Sequence, residues 1–213
     1  VFDALTICMS PFLMNLAACF IVIIINQGLK KYGGDLAIGA FGIVNRLVFI
    51  VVMIVMGLNQ GMQPIAGYNF GAKLYGRVNK VLRLTIIYAT AVTTFGFLVG
   101  MLVPDLVVGI FTSDAELTEL SVTGLRITVM FFPIIGFQMV TSNFFQSIGM
   151  AGKAIFLSLT RQMLILLPCL LVLPQFFGVA GVWYSMPVSD LLASLIALVM
   201  LVCQFRKFRT SPL

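Results

Sequence analysis

The sequence predicts an all-α integral membrane protein, a single bundle of six transmembrane helices, on three observations. Hydrophobic residues make up 61% of the chain and charged ones only 9%, against about 25% charged in an ordinary soluble domain. So few polar side chains cannot clothe a globule in water, so the second solvent is lipid. Six runs approach the roughly 20 apolar residues that a helical span needs, and the connections between them are short. Short connections make successive helices antiparallel and leave no soluble domain.

The first span is expected near Leu5–Ile25, ending in QGLKKYGGD, and the second near Leu36–Leu58. The second flows into GLNQGMQPIAGYNFGAKLYGRVNKVLR (Gly57 to Arg83), where Lys73, Arg77, Lys80 and Arg83 follow with no acid among them. A membrane helix emerging on the cytoplasmic side ends in this way. The third span is expected near Val81–Val103. In the loop from Pro104 to Glu119, Thr112-Ser113-Asp114 ahead of Glu116 reads as a helix N-cap with an acidic first turn. The remaining spans are expected near Ile127–Ile148, Ala154–Leu173 and Val179–Phe205.

Charge sets the orientation. Lys73, Arg77, Lys80, Arg83, Lys153, Arg161, Arg206, Lys207 and Arg209 fall on one side; Lys30, Lys31 and Arg126 fall on the other, and Arg46 lies inside a span. The positive-inside rule therefore puts both chain ends in the cytoplasm. The net charge of +6 is scattered over loops and gives no stripe for nucleic acid. Cys8, Cys19, Cys169 and Cys203 lie in apolar runs without a CxxC and read as buried free thiols. The sequence has no histidine, which removes imidazole acid–base chemistry, the common zinc sites and histidine-based triads. No signal peptide is evident, and a chain that starts on Val1 and enters an apolar run at once reads as part of something longer.

Polar groups inside a membrane are costly, and each is a candidate functional residue; the alternative is hydrogen bonding between packed helices. Asn15 and Asn26 share one face of the first span. Arg46, Phe49, Met53, Gln60 and Gln63 trace a mixed face of the second. Gln138, Ser142 and Gln146 recur every four residues on the fourth, flanked by Thr141 and Asn143. One polar face on each of three helices fits a shared central cavity, and it also fits interhelical packing. Met53 and Met56 would let a cavity wall adapt to varied ligands. Arg46 has no obvious acidic partner, so its guanidinium must face water, carbonyls or another part of the protein.

Arg161 and Asp190 lie about equally far from the turn near Phe176, some 20 Å below the outer surface. They are expected to form an ion pair, which offsets the cost of burying either charge. Gly57/Gly61, Gly67/Gly71 and Gly96/Gly100 carry the GxxxG spacing of close helix packing. Pro11, Pro64, Pro133, Pro168 and Pro187 mark expected kinks.

The ordered motifs resemble one family. QPIAGYNFGAK (Gln63 to Lys73) followed by RVNKVLR looks like the cytoplasmic end of the eighth helix in the multidrug and toxic compound extrusion (MATE) family. FFQSIGMAGKA (Phe144 to Ala154), Arg161-Gln162, Pro168 and LPQFFGVAGVWYSMPVSD (Leu173 to Asp190) follow in the right order. The resemblance covers essentially the whole chain and is to helices seven to twelve of a bacterial member.

It implies one six-helix lobe, residues 1–213, of a twelve-helix antiporter in a bacterial inner (plasma) membrane. Such a protein exports organic, often cationic compounds in exchange for H+ or Na+. The implied partners are an N-terminal six-helix lobe, the bilayer and small organic substrates, with no enzymatic activity and no cofactor or bound metal. Asn15, Arg46, Met53, Gln138, Ser142 and Gln146 would line this lobe's side of the pathway, while Pro64, Gly67, Tyr68, Asn69 and Gly71 would shape the helix exit. Some members carry a glutamate after the proline of helix seven and an aspartate in helix ten. This chain has Ala18 and Cys19 after Pro11 and no carboxylate in its fourth span, which places the coupling acid in the other lobe. A lipid-linked-sugar flippase of related fold would need more cavity cations than Arg46 and Arg161. A half that only self-assembles is the remaining alternative.

Overall fold

Helix is the only backbone form that satisfies every N–H and C=O within one segment, and this chain uses little else. The computed structural model describes the backbone of residues 2–210 and the side chains of residue 12 and residues 15–205. Helix α1 (Phe2–Gly71) is two helices joined at a break, because Gly34 has φ 67° and ψ −162°. A left-handed φ is open to glycine at little cost, and the break divides a helix of about 105 Å into two crossings, residues 2–33 and 35–71. Helix α2 (Tyr75–Leu102) is the third.

Short α3 (Pro104–Gly109) leads to α4 (Ala115–Val129). Asp114 caps α4, its carboxylate accepting from the N–H groups of Glu116 at 2.9 Å and Leu117 at 3.3 Å. Helix α5 (Phe132–Ser147) continues α4 after a 55° bend, and the pair makes one broken span. Pro133 sits in the first turn of α5, where its missing N–H costs nothing.

The fifth span is α6 (Ala151–Leu159), a π-helical segment (Thr160–Leu166) and α7 (Leu167–Phe177). The wide turns sit directly before Pro168, whose ring would otherwise press on the carbonyl of the preceding turn. Helix α8 (Val179–Thr210) completes the bundle. The turns at 72–74 and 148–150 and the end of α8 share one end of the bundle, which carries most of the cations; Asp35, Asp105, Asp114, Glu116 and Glu119 lie at the other.

Helix α5 is central, packing on α1, α2, α6 and α8. Two apolar clusters surround it. One, toward the acidic end, gathers Leu29, Phe41, Val129, Leu166 and Trp183; the other, toward the basic end, gathers Met62, Leu82, Phe144, Leu157 and Leu201. Between them, in sequence order along each helix, lies a polar layer of Gln138, Ser158, Thr160, Ser189 and Asp190, with Ser142 one turn on, between Val140 and Phe144 of the basic-end cluster.

Several expectations need correction. The helix of the second span continues past Leu58 and Pro64 to Gly71, with Met62 and Ala66 held in the basic-end cluster. Gly57, Gly61 and Gly71 have nothing within 4 Å of a would-be Cβ, so their GxxxG spacing marks no packed interface among the described residues. Gly96 and Gly100 do pack, against Val51 and Val129. Cys19 and Cys203 are exposed and Cys169 is half-buried, since their apolar runs face outward at those positions; the side chain of Cys8 lies outside the described residues.

The end of α1 closes through a Schellman arrangement. Leu74 N–H donates to Asn69 C=O at 2.9 Å and Lys73 N–H to Phe70 C=O at 3.0 Å, with Lys73 at φ 57°. Glycine normally occupies that left-handed position. Lys73→Gly is expected to stabilise the protein by about 1 kcal/mol, read as a higher midpoint in a thermal melt of the purified protein.

Candidate functional site

The residues singled out on the first two spans sit on exposed helix faces. Asn15 is exposed and Asn26, eleven residues on, is half-buried on the same face. On residues 35–71, Arg46, Phe49, Met53, Gln60 and Pro64 are all exposed, and at 3.6 residues per turn they fall within one arc. Arg46 is twelve residues past the Gly34 break, about 18 Å along the helix, and little more than one turn before Val51, which packs on Gly96 of α2. Among the described residues it has no ion-pair partner.

The stripe on α5 is placed differently. Gln138 and Ser142 are buried inside the lobe and Gln146 is half-buried. Neighbours surround α5, so its polar face looks onto other helices: Ser142 Oγ lies 3.2 Å from Ser158 Oγ on α6. Gln138 and Ser142 are therefore not on the exposed wall with Asn15, Arg46 and Met53. Flanking Asn143 accepts from Gln63 Nε2 at 3.4 Å and donates to the Met139 carbonyl at 2.9 Å.

The helix exit divides as well. Tyr68 is 78% exposed, and Pro64 and Gly71 are exposed. Asn69 is buried, its Nδ2 donating to the Ile65 carbonyl at 2.8 Å. Gly67 lies against α5: a Cβ there would be 3.0 Å from the Ser147 carbonyl oxygen.

Asp190 and Arg161 meet. Arg161 Nε donates to Asp190 Oδ1 at 2.7 Å, with the Arg161 side chain 32% exposed and that of Asp190 6%. Arg161 stands in the first turn of the π-helical segment, so it is a membrane charge rather than one of the loop cations with which its sequence position groups it. The pair fills one side of the polar layer. Ser194 Oγ donates to the Asp190 carbonyl at 2.6 Å, tying the helix behind the carboxylate.

Asn59 is the residue that sequence reasoning missed. It is 2% exposed, and neither atom of its amide has a hydrogen-bond partner among the described residues. Its signal was available, four residues before Gln63 and so on the same helix face. Outside all these positions, an apolar groove of about 250 Å³ lies between the second and third spans, lined by Leu47, Ile50, Ile54, Phe95, Val99 and Phe132 among others.

Known proteins share this architecture. The profile of the MatE family matches residues 7–171. The multidrug export protein MepA of Staphylococcus aureus (strain MSSA476) is 28% identical over 187 residues, covering 88% of this chain and 41% of MepA. The structure of the MATE multidrug transporter DinF-BH superposes with a TM-score of 0.85 at 34% identity, over 98% of this chain and 47% of that one. The outward-facing conformation of a multidrug resistance MATE family transporter of the MOP superfamily superposes at 0.88, with 18% identity over 95% of this chain and 46% of that one. The chain thus spans about half the length of the relatives it matches. MATE transporters are multi-pass membrane proteins, in keeping with these apolar helices. A family match over most of the chain, with the same fold in the solved relatives, shows that this chain belongs to the MatE family, a family of transporters.

Proposed function

We propose that this chain is the C-terminal lobe of a secondary active multidrug efflux transporter, which exports organic, often cationic compounds in antiport with H+ or Na+. The observation that carries the proposal is Arg46: a permanently charged guanidinium inside the apolar run of the second span, exposed on the lobe and without an ion-pair partner among the described residues. Lipid would not tolerate it there, so that face borders a wet cleft or an acidic group of the other lobe. Asn15 and Met53 would share this cleft with Arg46, together with the half-buried Gln146. Gln138 and Ser142 would support the wall from within. The coupling acid, on this reading, belongs to the N-terminal lobe. Coverage of less than half of MepA and of the DinF-BH chain supports a missing second lobe, and the names of both relatives support drug export. Both chain ends would be cytoplasmic and the membrane a bacterial inner membrane.

The test is uptake of an organic cation into everted vesicles holding the full-length transporter, under separate proton and sodium gradients. Arg46→Ala is expected to lower the initial rate about tenfold or more, equivalent to about 1.4 kcal/mol, with Arg46→Lys falling between. Unchanged export by Arg46→Ala at normal expression would remove Arg46 from the pathway. Equal rates with and without both ion gradients would remove antiport.

A further inference from the structure

We propose that the groove at the start of α2 binds an anionic phospholipid. A volume of about 480 Å³ there is lined by Gly76, Asn79, Lys80, Arg83, Leu84 and Ile87. The spacing puts Gly76, Lys80, Arg83 and Ile87 along one face of the helix, and that face changes character along its length. Its upper half is cationic and polar. Its lower half, about 6 Å further along the axis, is aliphatic, with Leu84 and Ile87 exposed.

Among the described residues the charge at this end is uncompensated. Lys80 and Arg83 are exposed and make no ion pair among the described residues. No acidic residue occurs in the sequence between Asp35 and Asp105. Apart from buried Asp190, the described carboxylates lie at the opposite end of the bundle. The first turn of a helix of 28 residues adds the positive end of its dipole, and at Gly76 no side chain closes the groove, since a Cβ there would meet nothing within 4 Å. A cationic rim above an aliphatic slot, at a membrane–water boundary, fits a lipid phosphate with its acyl chain below. A free phosphate would use only the rim. The two cations would hold the phosphate, Asn79 would donate to headgroup oxygens, and Leu84 and Ile87 would lie along the chain.

The experiment is native mass spectrometry of the purified full-length transporter, mixed with equal amounts of phosphatidylglycerol and phosphatidylcholine. The transporter is expected to retain phosphatidylglycerol preferentially. Lys80→Gln with Arg83→Gln is expected to lower that preference by more than tenfold, at about fivefold per cation. Lys73→Gln with Arg77→Gln removes the same charge outside the groove and is expected to leave the preference in place. Equal loss in both double variants overturns the site in favour of diffuse surface attraction, and no loss in either overturns it outright. Displacement of the lipid by inorganic phosphate at millimolar concentration overturns the lipid assignment. An independent reading uses Ile87→Trp in the otherwise unchanged transporter. Brominated phosphatidylglycerol is expected to quench this reporter more than brominated phosphatidylcholine at equal mole fraction, and equal quenching overturns the proposal.

Discussion

Replacing Arg161 by methionine is expected to destabilise the protein by about 3–5 kcal/mol, because it strands the Asp190 carboxylate in the polar layer without its partner. The converse change, Asp190→Leu, is expected to cost less. Arg161 keeps about a third of its side chain exposed whereas Asp190 is almost fully enclosed, so the freed guanidinium can tilt toward water and the freed carboxylate cannot. The double replacement, Arg161→Met with Asp190→Leu, is expected to recover most of the loss, since an apolar pair of similar volume removes both desolvation penalties. Thermal melts of the full-length transporter, with size-exclusion profiles to confirm folding, measure all three. Transport by the double variant then separates two roles for the pair. Retained export would make it structural. Lost export from a stable double variant would bring the pair, and the π-helical segment that presents Arg161, into the transport cycle.

This pair is legible in the sequence because it needs only two helix lengths and one turn. Each charge requires a partner, and the antiparallel hairpin brings only one within reach. The α5 stripe is not legible in the same way. Spacing of four residues shows that Gln138, Ser142 and Gln146 share a face, and it says nothing about what that face looks at. Tertiary packing decides this, and it places α5 in the middle of the lobe with Ser158 opposite Ser142. The helix beyond Leu58 escapes the sequence for a related reason. Pro64, Gly67 and Gly71 read as helix breakers, whereas packing of Met62 and Ala66 in the basic-end cluster and of Gly67 against α5 holds the helix through them. The π-helical turns have no signal except Pro168. The family, by contrast, is carried by ordered motifs over nearly the whole chain, which is why it is clear where individual site residues are not.

The bent fourth span makes the second large prediction. Gly136, one turn beyond the bend, lies so close to α2 that a Cβ would stand 2.7 Å from Thr93 Oγ1 and 2.9 Å from the Ala89 carbonyl oxygen. The Ala89 contact is backbone and cannot turn aside. Gly136→Ala is therefore expected to cost about 1–3 kcal/mol through overpacking, and Gly136→Val more, despite the gain in helix propensity of about 1 kcal/mol that glycine-to-alanine brings elsewhere. Thr93→Ala should relieve only the hydroxyl part of the clash, leaving Gly136→Ala destabilising. At Gly124, on the other arm of the bend, the obstacle is a side chain: a Cβ would come within 2.6 Å of the Trp183 ring. There Trp183→Phe is expected to rescue Gly124→Ala in part, a coupling that a double-mutant cycle would register. The contrast is the test of the geometry. If Gly136→Ala melts at the wild-type temperature, the third and fourth spans do not approach this closely. If Trp183→Phe fails to rescue Gly124→Ala, the ring is not what fills the space above that glycine.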